Sequence, residues 1–333
     1  MLLITSVPPV FSRKDRKTGE ELGIRYLASC IDSWRKNGFQ PLSINRFDEV
    51  DAINRLGLID CLGVSNDEAY FPNRFGPSLG AILDTVSSAE AVGIVNADIC
   101  MLSAEGCAEI LAQQSQKSIV AARRMDVMDH GASRGNVFEL GYDLVAFTPA
   151  KVPKTISNDR IRRFQLGVPW WDYVFPYSCS EEVPAFRIKE PFLTHLLHSD
   201  RWNEDVWNEC ALYARDACPS VENEAMKAMA GSDNFGQTTS SAFSEIIFGS
   251  RFCEIELPTS KSDPAYRTAP LAIAAVAQLQ SVALSEAHNW NFQYLVESAL
   301  GNTQPASIGK RDPIGRKIRR AIKSAVLMRS QSG

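Results

Sequence analysis

The sequence predicts an α/β protein with a mostly parallel central sheet and a helical C-terminal region, and three observations carry that prediction. Short apolar runs with β-branched content, at residues 2–7 (LLITSV), 92–95 (VGIV) and 118–122 (SIVAA), have the length of buried strands. Stretches of helical spacing separate them, clearest over residues 20–36, where Leu22, Ile24, Leu27, Ile31 and Trp34 recur before Asn37-Gly38. The third is the abrupt end of the run at 91–95 in a polar triplet, Asn96-Ala97-Asp98. A carboxylate at the carboxyl end of a buried strand stands over the crevice where open α/β sheets bind ligands. The alternative is that Asp98 only caps a following turn.

Bulk properties narrow the class. A chain of 333 residues with 45% hydrophobic content can bury a real core in one large or two modest domains. No run approaches the roughly 18 uninterrupted apolar residues of a membrane span. The opening residues MLLITSVPPVF carry neither a basic leader nor a small-residue cleavage pattern, so the expected location is cytoplasmic. Eight cysteines are scattered without CxxC pairs, which predicts reduced, packed thiols rather than bridges or zinc sites. Residues 310–333 hold eight basic side chains against Asp312 alone, net +7, so the rest of a chain of net charge −4 carries −11. An acidic body with a basic end argues against a general nucleic-acid binder.

In chain order, the strand over residues 2–7 ends at Pro8-Pro9, and Thr5 and Ser6 are candidates for a nucleotide pocket at its end, the alternative being a plain strand terminus. A polar, basic loop over 12–19 precedes the first helix, and 39–45 (FQPLSIN) reads as the second strand. A short helix over 47–58 and a short strand over 61–64 lead to an aromatic loop, 70–77. Arg74 in that loop sits just before a helix predicted over 78–88, where free amides and a guanidinium together suit a diphosphate. The alternative is a solvated loop arginine. After a helix at 104–114, the strand at 118–122 delivers Arg123, Arg124 and Asp126 at its exit. Residues 141–148 form an alternating strand that Pro149 ends.

The segment 160–177 crowds aromatic residues around Asp172. Apolar neighbours raise the pKa of an acid, which favours a chemical role over a simple helix cap. Residues 185–188 read as the last strand, and His195 and His198 follow at i and i+3, where they could offer imidazoles to a metal or serve as core or capping histidines. Beyond Trp207 the chain reads as helical. Residues 313–329 form a basic amphipathic stretch with Ile314, Ile318, Ile322, Ala325 and Val326 on one face, the pattern of an anchor on an anionic membrane surface. A solvated tail, or a helix docked on the acidic body, is the alternative.

The order of these signals resembles the GT-A class of nucleotide-sugar glycosyltransferases over residues 1–210. The resemblance rests on the β-α-β opening, the strand ending in Asn96-Ala97-Asp98, the charged strand exits, the WWD segment and the late histidines. It implies a single Rossmann-like domain over 1–210; the patterning already described adds a helical annex over 211–309 and a basic tail over 310–333. It also implies transfer of a sugar from a nucleoside-diphosphate sugar to an acceptor hydroxyl, on a glycan or a lipid-linked acceptor. Asp98 stands at the last acid of a DXD-like motif, which ligates Mn²⁺ or Mg²⁺, and Asn96 replaces the first acid, where it can still bond a hydroxyl. His195 or His198 matches the late metal ligand, and Asp172 the acceptor-side carboxylate. Thr5, Ser6, Arg74, Asn96, Asp98 and Arg123 are the expected nucleotide-sugar contacts. A sugar-nucleotide nucleotidyltransferase on the same scaffold is the rival; its Gly-rich loop after the first strand is replaced here by Ser6-Val7-Pro8-Pro9-Val10. A non-catalytic binding protein is the third reading, and Asn96 is the feature in its favour.

Overall fold

The computed structural model describes residues 1–15, 18–102, 106–138, 141–152, 156, 159–180, 182–189, 191–198, 204–218 and 252–255. In chain order the described elements are β1 (Leu2–Thr5), α1 (Gly23–Lys36), β2 (Gln40–Arg46), α2 (Val50–Asn54), β3 (Asp60–Val64), α3 (Leu79–Thr85), β4 (Val92–Val95), β5 (Ile99–Met101), α4 (Cys107–Ser115), β6 (Ile119–Ala122), β7 (Arg124–Val127), β8 (Asn136–Val137) and β9 (Leu144–Phe147). There follow α5 (Asp159–Arg162), α6 (Trp171–Ser180), β10 (Ala185–Ile188), β11 (Leu193–Leu196), α7 (Glu204–Ala217) and β12 (Phe252–Ile255).

Eight strands form one sheet in the order β12-β10-β6-β9-β4-β1-β2-β3. Every neighbouring pair is parallel except those of β9, which runs antiparallel between β4 and β6. The protein is thus the expected mixed α/β class with a mostly parallel central sheet. Successive side chains of β1 face opposite ways. Ile4, with Ile44, Ile94 and Val145, packs under α3, α5, α6 and α7, while Leu3, with Val95, Leu144 and Ala146, packs under α1 and α4. Burying both faces of a parallel sheet between helices is the stable solution for apolar runs of this kind. Trp34 on α1 is fully buried, and its indole N–H donates to the Ile99 carbonyl at 2.7 Å, fastening α1 to the start of β5.

A second sheet, β5-β11-β7-β8, stands beside the first. It was not expected, because its strands are two to four residues long and carry charged positions. The strand read at 118–122 is continued after Arg123 by β7 of this second sheet. The helix expected from residue 20 starts instead at Gly23. The Glu21 carboxylate accepts from Ser12 Oγ and from the amides of Arg13 and Gly23, so residues 20–22 clasp the preceding loop. The region read as helical beyond 210 supplies strand β12, parallel to β10, and α7 crosses position 210. The helices expected at 222–230 and 269–300, and the tail at 310–333, lie outside the described residues. No helix among the described residues is long and apolar enough to cross a membrane.

Candidate functional site

All four residues of β4 are buried, and the strand ends at Val95. The β1–β4 register sets Ile4 opposite Ile94, so Ser6 and Asn96 stand at the same level on the carboxyl rim of the sheet. The chain turns through Asn96-Ala97-Asp98 and enters β5, which belongs to the second sheet. There β11 lies between β5 and β7, with His195 opposite Ile99 on one side and opposite Asp126 on the other. The second sheet therefore carries His195 to the residue next to Asp98.

Around Asp98 Oδ2 the Nε2 atoms of His195 and His198 lie at 3.5 and 3.6 Å. One ligand atom from each of Asp98, His195 and His198 falls within 4.8 Å of the others. These are the three residues the sequence offered as metal ligands, and the fold brings them together. A fourth group was missed. Arg13, whose side chain is 2% exposed, forms an ion pair with the same carboxylate, and the only signal for it was the basic loop at 12–19. Tyr26 braces the turn: its hydroxyl donates to the Asp98 carbonyl at 2.9 Å and accepts from the Leu196 amide at 2.9 Å.

Burial alone would raise the Asp98 carboxyl, but His195, His198 and Arg13 together hold it well below the usual carboxylate range. His195 is the reverse case. Its burial disfavours the imidazolium, yet Asp98 and Asp126 outweigh that and raise its pKa. His195 Nδ1 lies 2.9 Å from Asp126 Oδ1, which Arg124 Nε also reaches at 2.8 Å. Arg124 Nη1 donates to Asp143 Oδ1 at 2.8 Å, and the same oxygen accepts from Asn96 Nδ2 at 3.0 Å.

Asp172 stands in the first turn of α6. Its carboxylate lies against Gly141, where φ is +110° and a Cβ would collide with Asp172 Oδ2, and it feels the charges of Asp143 and Arg124. Only a residue without a side chain allows that approach. Burial first, and then the Asp143 charge, push the Asp172 carboxyl up to about 8. Trp170, the residue before α6, is fully buried with φ of 80°, a left-handed conformation that non-glycine residues adopt only where packing enforces it. That packing includes its indole N–H bond to the Trp207 carbonyl at 3.1 Å.

Thr5 is fully buried, and its hydroxyl has no hydrogen-bond partner among the described residues. Ser6 packs against Gly76, so the loop carrying Arg74 lies over the end of β1. Arg74 is exposed, with its guanidinium over the Phe75 ring at 5.2 Å. The helix after it, α3, is capped by Ser78, which accepts from the Ala81 amide at 3.1 Å. Arg123 is buried and turned toward the Lys189 carbonyl at 3.5 Å; its neighbour Arg124 is the one that joins the Asp98 network.

The donor set suits a divalent cation. Asp126 occupies Nδ1 of His195, leaving Nε2 toward Asp98 and His198, the arrangement in which a histidine ligates. Two imidazoles with one carboxylate favour Mn²⁺ over Mg²⁺, which prefers oxygen donors. Arg13 on the same carboxylate is a competing positive charge that such an ion would have to share.

No protein-family model matches the chain, and no curated protein matches it. Mannose-1-phosphate geranyltransferase from Thermus thermophilus is similar in structure at a TM-score of 0.29 and 13% identity, over 64% of this chain and 78% of that one. The 4-diphosphocytidyl-2C-methyl-D-erythritolsynthase from Anaerococcus prevotii is similar at 0.30 and 12%, over 65% and 93%. Likeness of this degree carries no functional conclusion.

Proposed function

We propose that this chain is a glycosyltransferase that moves a sugar from a nucleoside-diphosphate sugar to a hydroxyl of a glycan or lipid-linked acceptor. The observation that carries the reading is the convergence on Asp98, at the rim of the central strand, of His195, His198 and the Arg13 guanidinium. A leaving diphosphate gains negative charge as the glycosidic bond breaks, and positive groups already in place there lower the barrier. Bound Mn²⁺, or Mg²⁺ more weakly, would supply Lewis-acid stabilisation to the diphosphate oxygens. Asp98, His195 and His198 are its ligands in this reading. Arg13 supplies a fixed positive charge beside them. In this reading Ser6 and Arg74 contact the nucleotide, Thr5 is fully buried and does not, and Asp172 accepts the proton of the acceptor hydroxyl.

One observation favours a second reading. Arg13 comes from the loop after β1, the place where a sugar-nucleotide nucleotidyltransferase puts cations around a triphosphate. The deciding experiment titrates UDP-, GDP- and dTDP-sugars with and without Mn²⁺, alongside nucleoside triphosphates with sugar phosphates. Metal-dependent binding of a sugar nucleotide with transfer to an acceptor supports the glycosyltransferase, and pyrophosphate release from a triphosphate supports the rival. Silence in both supports the non-catalytic reading, a scaffold that kept the sheet and lost its metal. Docking of the tail at 310–333 on an anionic membrane is a separate part of the proposal. Its test is sedimentation with anionic vesicles, which should weaken when the tail is deleted while sugar-nucleotide affinity stays unchanged.

A further inference from the structure

The groups behind His195 have no part in the reaction just described, yet they form a continuous line. Parallel strands β7 and β11 set Asp126 opposite His195, and the two side chains meet with Nδ1 2.9 Å from Asp126 Oδ1. Arg124 Nε approaches that same oxygen at 2.8 Å, and Arg124 Nη1 reaches Asp143 at 2.8 Å. Asp143, 1% exposed, takes the Asn96 amide at 3.0 Å. Opposite charges therefore alternate from the turn that carries Asp98 round to the ring that faces Asp98.

We propose that Asp126 is a positioning residue: it holds His195 with its proton on Nδ1, so that the Nε2 lone pair faces the space between Asp98 and His198. This rests on the metal-assisted reading above. An imidazole ligates only through an unprotonated nitrogen, and a carboxylate on the other nitrogen selects the tautomer and fixes the ring plane. Asp126 is itself fixed, because Arg124 grips the oxygen that the ring uses, and Asp143, held in turn by the Asn96 amide, grips Arg124. In this arrangement the amide at position 96 no longer stands in for a metal ligand. It anchors the far end of the brace that orients one.

The test uses the full chain without metal, at an alkaline pH where the ring is neutral, with ¹⁵N NMR of His195 reading which nitrogen carries the proton. The wild-type protein is expected to show Nδ1–H. Asp126→Leu keeps the branched shape but removes the acceptor, leaving Arg124 Nε as the donor beside Nδ1, and the proton is expected to move to Nε2. Mn²⁺ affinity should then fall about 10- to 100-fold. A wild-type ring protonated on Nε2, or a tautomer unchanged in Asp126→Leu, overturns the proposal; the first needs no variant to fold. A wild-type chain that binds no Mn²⁺ but loses Nδ1–H in Asp126→Leu supports the positioning role and counts against the metal-assisted reading instead.

Discussion

Asn96 donates its side-chain amide to Asp143 Oδ1 at 3.0 Å, so the residue standing where a DXD motif has its first acid is turned toward a carboxylate. Restoring the acid therefore does not restore a ligand. Asn96→Asp would set two carboxylates against each other beside a side chain that is 1% exposed, and one of them would have to take up a proton. The expected outcome is a loss of about 1–3 kcal/mol of stability with no gain in Mn²⁺ affinity. Chemical denaturation and a Mn²⁺ titration check both, and tighter Mn²⁺ binding would show that Asn96 faces the metal after all.

Arg13 and Asp98 form a pair in which only the carboxylate has access to water, with side-chain exposures of 2% and 21%. Removing one partner of such a pair leaves the other charged and shielded, at a cost of about 3–5 kcal/mol when both are fully buried. Arg13→Met should fall at the lower end of that range, because His195 and His198 still face Asp98. Thermal unfolding measures it, and an unchanged melting temperature would mean that Arg13 is not held where the structure has it.

Asp172 makes stability fall with rising pH. Its folded pKa of about 8 lies above that of an unfolded carboxylate near 4, so the folded chain binds the proton more tightly. The contribution is fully present below about pH 4, shrinks as pH rises toward 8, and is lost above it. Asp172→Asn should flatten this part of the stability profile and make the protein more stable than wild type at pH 9. If Asp172 is also the base, turnover should rise through about pH 8 as the carboxylate forms. A wild-type profile that gains stability between pH 5 and 8, with no difference in Asp172→Asn, would place the carboxyl in water.

Gly141→Ala tests the same contact from the other side. The alanine would meet Asp172 Oδ2 and would have to hold a φ of +110°. A loss of about 1–3 kcal/mol is expected from the backbone alone, with a shift of the Asp172 titration as the carboxyl is displaced. Wild-type stability would contradict the close approach.

Much of this site could be read in the chain. Asp98, His195 and His198 were visible because each is an uncommon residue type for its surroundings: an acid ending an apolar strand, and two of only four histidines close together. The central sheet was legible for a related reason, since runs such as Val92–Val95 are buried on both faces and read as continuous apolar segments. The second sheet was not legible. Arg124-Met125-Asp126-Val127 has the polarity of a loop, and its strand character comes from pairing with β11 and β8 rather than from local preference. Asp126 and Arg124 could therefore be seen as charges at a strand exit but not as a brace for His195. Arg13 was hidden differently, because nothing in a basic loop marks which cation folds inward. β12, four residues long, joins the sheet through pairing with β10 across a large sequence separation, which no local pattern reports.

The most direct measurement is calorimetric titration of a UDP-, GDP- or dTDP-sugar into wild-type protein and into Asp98→Asn, each with and without Mn²⁺, at a temperature where both are folded. The account predicts sugar-nucleotide binding that Mn²⁺ strengthens in the wild type and that is lost in Asp98→Asn. Equal affinity in the two proteins, with or without the metal, would contradict it.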